Sequence, residues 1–345
     1  MKGVSGGLLA AETCRAGGLG MIGAGTLVGS PSDLEELNKQ IEIFRKAAPE
    51  GAPLSIGIFG FALQQRPDAW ENYRKLLETH RPDVIQCFAP AVVYENDQQT
   101  GVSNVELAHA NNAKFIAQVG TVTDARLALQ AKVDAIIAQG NESGGHGLRR
   151  EVGNGVLPLA SQIRRLTEEH ASNNGRVPVV AAGSIVNGRT FAAALAVCDG
   201  AVLGTRLWAS RESIGNPALQ AALVAKNEDG SSVSCDNVLR TPVFDQILNE
   251  LTPVQWPQPY DSVGALRNNM SQKWDDRLDS LAKEISNGTI VQEFKTAMQD
   301  GNPTVGMVLA GQGVGEIDSI EPAYDIVMRI EQETKDILRQ LSQIV

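Results

Sequence analysis

Between residues 19 and 205 short apolar runs, rich in β-branched residues, alternate with amphipathic helical stretches, and this constrains the fold more than any other feature. The strand-like runs lie at 19–24 and near 54–59, 84–88, 114–119, 134–139, 177–182 and 201–204, each bounded by turn residues. Helical patterns fall near 6–16, 32–47, 67–79, 102–112, 123–132, 156–171 and 187–197. Gly17-Gly18 can end the first of these in the left-handed conformation, and Ser30-Pro31 supplies an N-cap and first residue for the second. Such alternation predicts a parallel sheet with right-handed crossovers.

Two architectures satisfy that pattern, a closed (β/α)8 TIM barrel and an open doubly wound sheet. The count is seven strands, and the chain opens on a helix with no strand before it. Either the sheet is open, or the first barrel strand is absent from the sequence as given, which would leave a gap exposing two strand edges. Gly18-Leu-Gly-Met-Ile-Gly23 spells the dinucleotide-binding pattern. That pattern needs a strand before it and a helix after it, and here the order is reversed, which argues against a Rossmann site.

Past residue 205 the alternation stops. Residues 241–260 are rich in proline and tryptophan and read as extended chain crossing a surface, with helical patterns near 211–226, 272–287 and 290–299. The glycine-rich Ala310–Gly315 precedes an amphipathic helix near 321–342. The chain therefore divides into a barrel (1–210), a helical subdomain (211–315) and a C-terminal helix (316–345) that packs back on the barrel.

A net charge of −10, with arginines and lysines scattered, argues against nucleic acid or an anionic membrane surface as partner. The four cysteines (Cys14, Cys87, Cys198, Cys235) are widely spaced and suit reduced thiols of a cytoplasmic protein, with no metal site. No apolar run reaches the roughly 18 residues of a membrane span, and no signal peptide opens the chain.

Chemistry concentrates in Gln139-Gly-Asn-Glu-Ser-Gly-Gly-His-Gly147, directly after the buried-strand run 133–138. Glycine lets backbone approach a flat or charged ligand, and His146 supplies a group that exchanges protons near neutral pH. Two successive strand ends, Gly183-Ser184 and Gly204-Thr205, each pair a glycine with a hydroxyl. Barrels place a phosphate site after their last two strands, and these turns fit it. His80, His109 and His170 read as surface groups, Glu142 as a solvated loop residue and Trp208 as packing, whereas Tyr94, in the long loop 89–101, is a candidate substrate contact.

With Gln118-Val-Gly-Thr-Val122, Ala16–Gly25 and Ala310–Gly315, these motifs together resemble the FMN-dependent nitronate monooxygenases, formerly 2-nitropropane dioxygenases, over essentially the whole chain. The resemblance implies that His146 abstracts the α-proton of a nitroalkane or holds a nitronate. It implies that Gln118 and Gln139 face the FMN isoalloxazine, that Gly144 and Gly145 let backbone approach it, and that Gly183, Ser184, Gly204 and Thr205 hold its phosphate. The expected substrates are small nitronates, such as propionate 3-nitronate, or nitroalkanes, with O2, and a homodimer stays open. The sequence departs from the family pattern where Lys132 replaces a helix-ending glycine, and Val197–Gly200 is one residue short. An FMN-dependent reductase of quinones or enoyl thioesters would share most of these motifs, and a non-catalytic relic would keep the fold alone.

Overall fold

The computed structural model describes residues 2–28, 31–89, 101–171, 175–226 and 230–344, with residues 31 and 32 as backbone only. Among the described residues ten strands are present: β1 (Met21–Gly25), β2 (Ser55–Phe59), β3 (Val84–Phe88), β4 (Lys114–Val119), β5 (Ala135–Gln139), β6 (Gly145–Gly147), β7 (Val179–Ala182), β8 (Gly200–Val202), β9 (Val238–Thr241) and β10 (Ser262–Leu266). Seven of them form one parallel sheet in the order β1-β2-β3-β4-β5-β7-β8. Sequential order with a helix after each strand is the topology of a barrel wall, and a doubly wound sheet, whose order reverses at a switch point, is excluded. The seven strands are those read from the sequence.

Helices cover the outside because their apolar stripes have nowhere else to go. Ile41 and Phe44, Trp70 and Leu77, and Leu159 and Ile163 lie in one core with Ile22, Ile56, Ile85, Phe115, Ile136 and Val179 of the strands. The strand edges are less bare than expected. Along β1, the Gly23 N–H donates to Ser5 O at 3.0 Å, and the Ile214 N–H donates to Val4 O at 3.0 Å. Helix Gly7–Arg15 packs on the C-terminal helix Ala323–Leu341, which in turn packs on Gly188–Leu195. Arg206 fastens this end: almost wholly buried, it donates to Ser319 O at 2.9 Å and to Glu321 Oε1 at 3.0 Å.

The region after residue 210 differs most from expectation. The pattern at 211–226 yields only a short helix, Pro217–Ala221, and a 3-10 turn, and 272–287 splits into Asn269–Trp274 and Leu278–Ser286. The supposedly extended stretch 241–260 contains a helix, Val243–Leu248. A second sheet, antiparallel in the order β6-β10-β9, joins the loop after β5 to this region, with His146 opposite Val263. No described helix is long and apolar enough to cross a membrane.

Lys132 adopts φ +64, the left-handed position that ends helix Val122–Gln130. A side chain there costs about 1–2 kcal/mol, and glycine gives back about 0.4–1 kcal/mol through the unfolded chain. Lys132→Gly is therefore expected to raise unfolding free energy by about 0.5–1 kcal/mol in urea titration. A loss of stability would show that the Lys132 side chain makes up for its backbone.

Candidate active site

Three glutamines sit on successive strands, β3, β4 and β5, and form a directed chain. Gln86 Nε2 donates to Gln118 Oε1 at 2.8 Å, and Gln118 Nε2 donates to Gln139 Oε1 at 3.0 Å. Gln139 Nε2 then donates to Ser143 Oγ at 2.9 Å and to His146 O at 2.8 Å. Each amide is thereby oriented, as buried amides must be. The last pair of bonds folds the loop 140–147 back over the end of β5.

Arg240, on β9, holds that loop from behind. Its guanidinium donates to Asn141 O (2.8 Å), Ser143 O (2.6 Å), Ser262 O (3.0 Å) and Gly145 O (3.4 Å), and to Ser143 Oγ at 3.3 Å. Burial pushes its pKa down to about 10, so it stays charged at neutral pH. Gly144 packs on the late glycine stretch so closely that a Cβ would sit 2.6 Å from Gly311 N, whereas Gly145, at φ +72, has open space in front of it. Glu142 caps a helix, accepting from Val156 N–H at 2.9 Å.

His146 projects from β6 beside groups that come from the far end of the chain. Its Nε2 lies 2.6 Å from Asp245 Oδ1, with side-chain exposures of 13% and 1%. The Trp256 ring stacks on the imidazole at 3.8 Å between centroids and 11° between planes. Phe59, Phe61 and Phe88, at or just past the ends of β2 and β3, close around Trp256. Tyr260 ties the same crossing segment to the barrel, donating to Asp124 Oδ2 at 2.7 Å and accepting from Gly120 N–H at 3.3 Å.

The two glycine–hydroxyl turns lie at the ends of β7 and β8, side by side. Gly183 has φ +144, which demands glycine, and Ser184 has φ +53. The Ser184 hydroxyl has its only proton committed, donating to Glu142 O at 2.8 Å, and it accepts from Gly313 N–H at 3.0 Å. Thr205 Oγ1 accepts from Gly311 N–H at 3.0 Å and keeps its own proton for another acceptor. Among the described residues no hydrogen bond is made by the backbone N–H groups of Gly183, Ser184, Gly204 and Thr205, and a Cβ at Gly204 would meet open space. Free N–H groups from two adjacent turns, with one free hydroxyl proton, suit an anionic group with several acceptor oxygens.

Thus Gln118, Gln139, Gly144, Gly145 and His146 lie along one end of the sheet, continuous through Glu142 and Gly311 with Gly183, Ser184, Gly204 and Thr205. Tyr94 lies outside the described residues. His109 pairs with Asp134 at 2.8 Å on the surface, and Trp208 packs in a satellite core. Sequence reasoning missed Gln86, Arg240, Asp245 and Trp256. A polar residue inside the apolar run Val84–Phe88 was a signal for Gln86.

A family profile described as nitronate monooxygenase matches residues 1–333. The chain is similar to the nitronate monooxygenase of Neurospora crassa, with 27% identity covering 98% of this chain and 88% of that protein. It is also similar, at 25% identity over 99% of this chain and 93% of the other, to an octahydro-indene carboxyl-CoA dehydrogenase of Mycobacterium tuberculosis. Among solved structures, FabK from Thermotoga maritima superposes with a TM-score of 0.75 at 25% identity, covering 100% of this chain and 94% of that one.

Proposed function

The chain belongs to the nitronate monooxygenase family of flavin-dependent oxidoreductases, and on that premise we propose that it binds FMN and converts alkyl nitronates with O2 to a carbonyl compound and nitrite. The observation that carries this reading is the imidazole of His146, held beside the glutamine chain on the same sheet end as two turns with free N–H groups. Backbone N–H groups of Gly183, Ser184, Gly204 and Thr205, with the Thr205 hydroxyl, hold the phosphate. The Ser184 side chain serves instead to brace the turn, since its hydroxyl is already committed. Gln118 and Gln139 face the ring system, and Gly145 leaves space for it. The residues 1–210 supply most of this site, 211–315 its cover, and 316–345 an outer brace.

FMN supplies the electron-accepting chemistry when bound. The chain's own residues do the rest. His146 removes the α-proton from a neutral nitroalkane, or holds the nitro group of a substrate that arrives as the nitronate. Trp256 and its phenylalanine neighbours keep water from one face of the imidazole. No free cation from the described residues stands beside His146, because Arg149 is bidentate with Asp261 and Arg240 is spent on carbonyls. That favours alkyl nitronates whose only charge is the nitronate itself over those carrying a second, carboxylate charge, such as propionate 3-nitronate.

A second reading, oxidation or reduction of an acyl thioester, is favoured by the similarity to the carboxyl-CoA dehydrogenase. Both are tested by the visible spectrum of the purified protein, recorded anaerobically. An oxidised flavin spectrum that changes on adding an alkyl nitronate supports the proposal. A flavin bleached by NADH and unmoved by nitronates would transfer it to the second reading, and a protein colourless even after added FMN would refute both.

A further inference from the structure

We propose that Asp245 is a positioning residue that fixes His146 as the Nε2–H tautomer, so that Nδ1 is the proton-accepting nitrogen of the site. The inference rests on the reading of His146 as the base. Asp245 lies on Val243–Leu248, a helix that begins directly after β9, and is 1% exposed among Val243, Phe244 and Ile247, themselves buried. Oδ1 meets His146 Nε2 at 2.6 Å, and Oδ2 is buried with no hydrogen-bond partner among the described residues. The Arg149 and Arg240 guanidiniums act on this carboxylate through space, but their hydrogen bonds go elsewhere, Arg149 being bidentate with Asp261 at 2.8 and 2.5 Å and Arg240 donating to carbonyls.

A carboxylate so placed is costly to bury unless a function retains it. It has only acceptor atoms, so a hydrogen bond to it requires the proton on Nε2. The neutral ring then carries its lone pair on Nδ1, for which no bond to the protein is recorded among the described residues. Two further restraints hold the ring. Trp256 covers one face, and the backbone is pinned in β6 by pairing with β10 and by Gln139 Nε2 on His146 O. Turning the ring over to present Nε2 would break the carboxylate bond, and tilting it out of its plane would break the stack. A carboxylate that sets tautomer and orientation without itself taking the proton is the role the third member plays in hydrolase triads.

The consequence is selective. Asp245 matters where His146 must remove a proton, and matters far less where the substrate arrives deprotonated. Histidine-15N-labelled protein gives four ring systems to assign, and the His146→Asn variant identifies the one of interest. At the pH of turnover its long-range 15N–1H correlations are expected to show Nε2 protonated and Nδ1 bare. A proton on Nδ1, in the neutral or the cationic ring, overturns the proposal. Asp245→Asn is expected to lower kcat for neutral nitroalkanes by about 100- to 10,000-fold, to lower it far less for preformed nitronates, and to be partly rescued by Asp245→Glu. Equal losses on both substrates would mark a purely structural residue and also overturn it. If the wild-type protein turns over neither substrate, the functional reading has failed, and the tautomer measured in the wild type still decides this one.

Discussion

Replacing Arg240 with methionine is expected to lower the unfolding free energy by about 3–5 kcal/mol, the range seen when one side of a buried charged contact is removed. The magnitude follows from what is stranded. Four carbonyl oxygens and the Ser143 hydroxyl converge on one largely buried guanidinium. Each buried acceptor left without a donor costs about 1–3 kcal/mol, softened where a carbonyl keeps a second partner. Methionine fills similar volume, so the loss reports the hydrogen bonds rather than a cavity. Arg240→Lys retains the charge with only three donors on a single nitrogen, and an intermediate loss is expected. Urea titration with an unchanged m-value checks this. A methionine variant within about 1 kcal/mol of wild type, below the cost of a single stranded acceptor, would mean that the loop 140–147 stands without its clamp. The same variant is expected to retain FMN poorly, because Asn141, Ser143 and Gly145 set the path of the backbone facing it.

How much of this was legible in the sequence depended on the range of the interaction that fixes each part. The parallel sheet was readable because each strand is an apolar run with its own helix behind it, a pattern set within about thirty residues. His146, the glutamines of β4 and β5 and the two glycine–hydroxyl turns were readable because each announces itself in its own neighbourhood, at a strand end. The second sheet was not. β6 is three residues, Gly-His-Gly, with no strand propensity, and it is extended only because β10, more than a hundred residues later, offers it a partner. Asp245, Arg240 and Trp256 come from that same distant stretch. In sequence, Asp245 and Trp256 both belong to a stretch, 241–260, that reads as extended chain crossing a surface. Their meaning arises only when the crossing segment lies over the sheet and sets them against the imidazole. Proline and tryptophan in 241–260 suggested an extended crossing and hid the helix Val243–Leu248; composition also carries no address, so the residue this stretch would meet could not be named.

His146→Asn is expected to reduce turnover of neutral nitroalkanes by about 100- to 10,000-fold, the contribution of a positioned general base, while reducing turnover of preformed nitronates much less. The choice of asparagine matters. Alanine would leave Asp245 buried with neither oxygen bonded, and the cost of an uncompensated carboxylate would unfold or repack the site, so lost activity would say nothing about proton transfer. Asparagine keeps an amide N–H donor facing Asp245, though shorter in reach than the ring Nε2–H, and lacks a basic nitrogen, which limits the stranding of the carboxylate while removing the base. Because His146 and Asp245 act as one unit, the double variant His146→Asn/Asp245→Asn is expected to be no slower on nitroalkanes than the histidine variant alone, a non-additivity that independent residues would not show. Full activity of the asparagine variant on both substrate forms would remove His146 from proton transfer, and additive losses in the double variant would separate it from Asp245. Retention of the flavin spectrum in all three proteins is the condition for reading either result, and it is expected, since the turns at Gly183 and Gly204 are joined to His146 only through loop backbone.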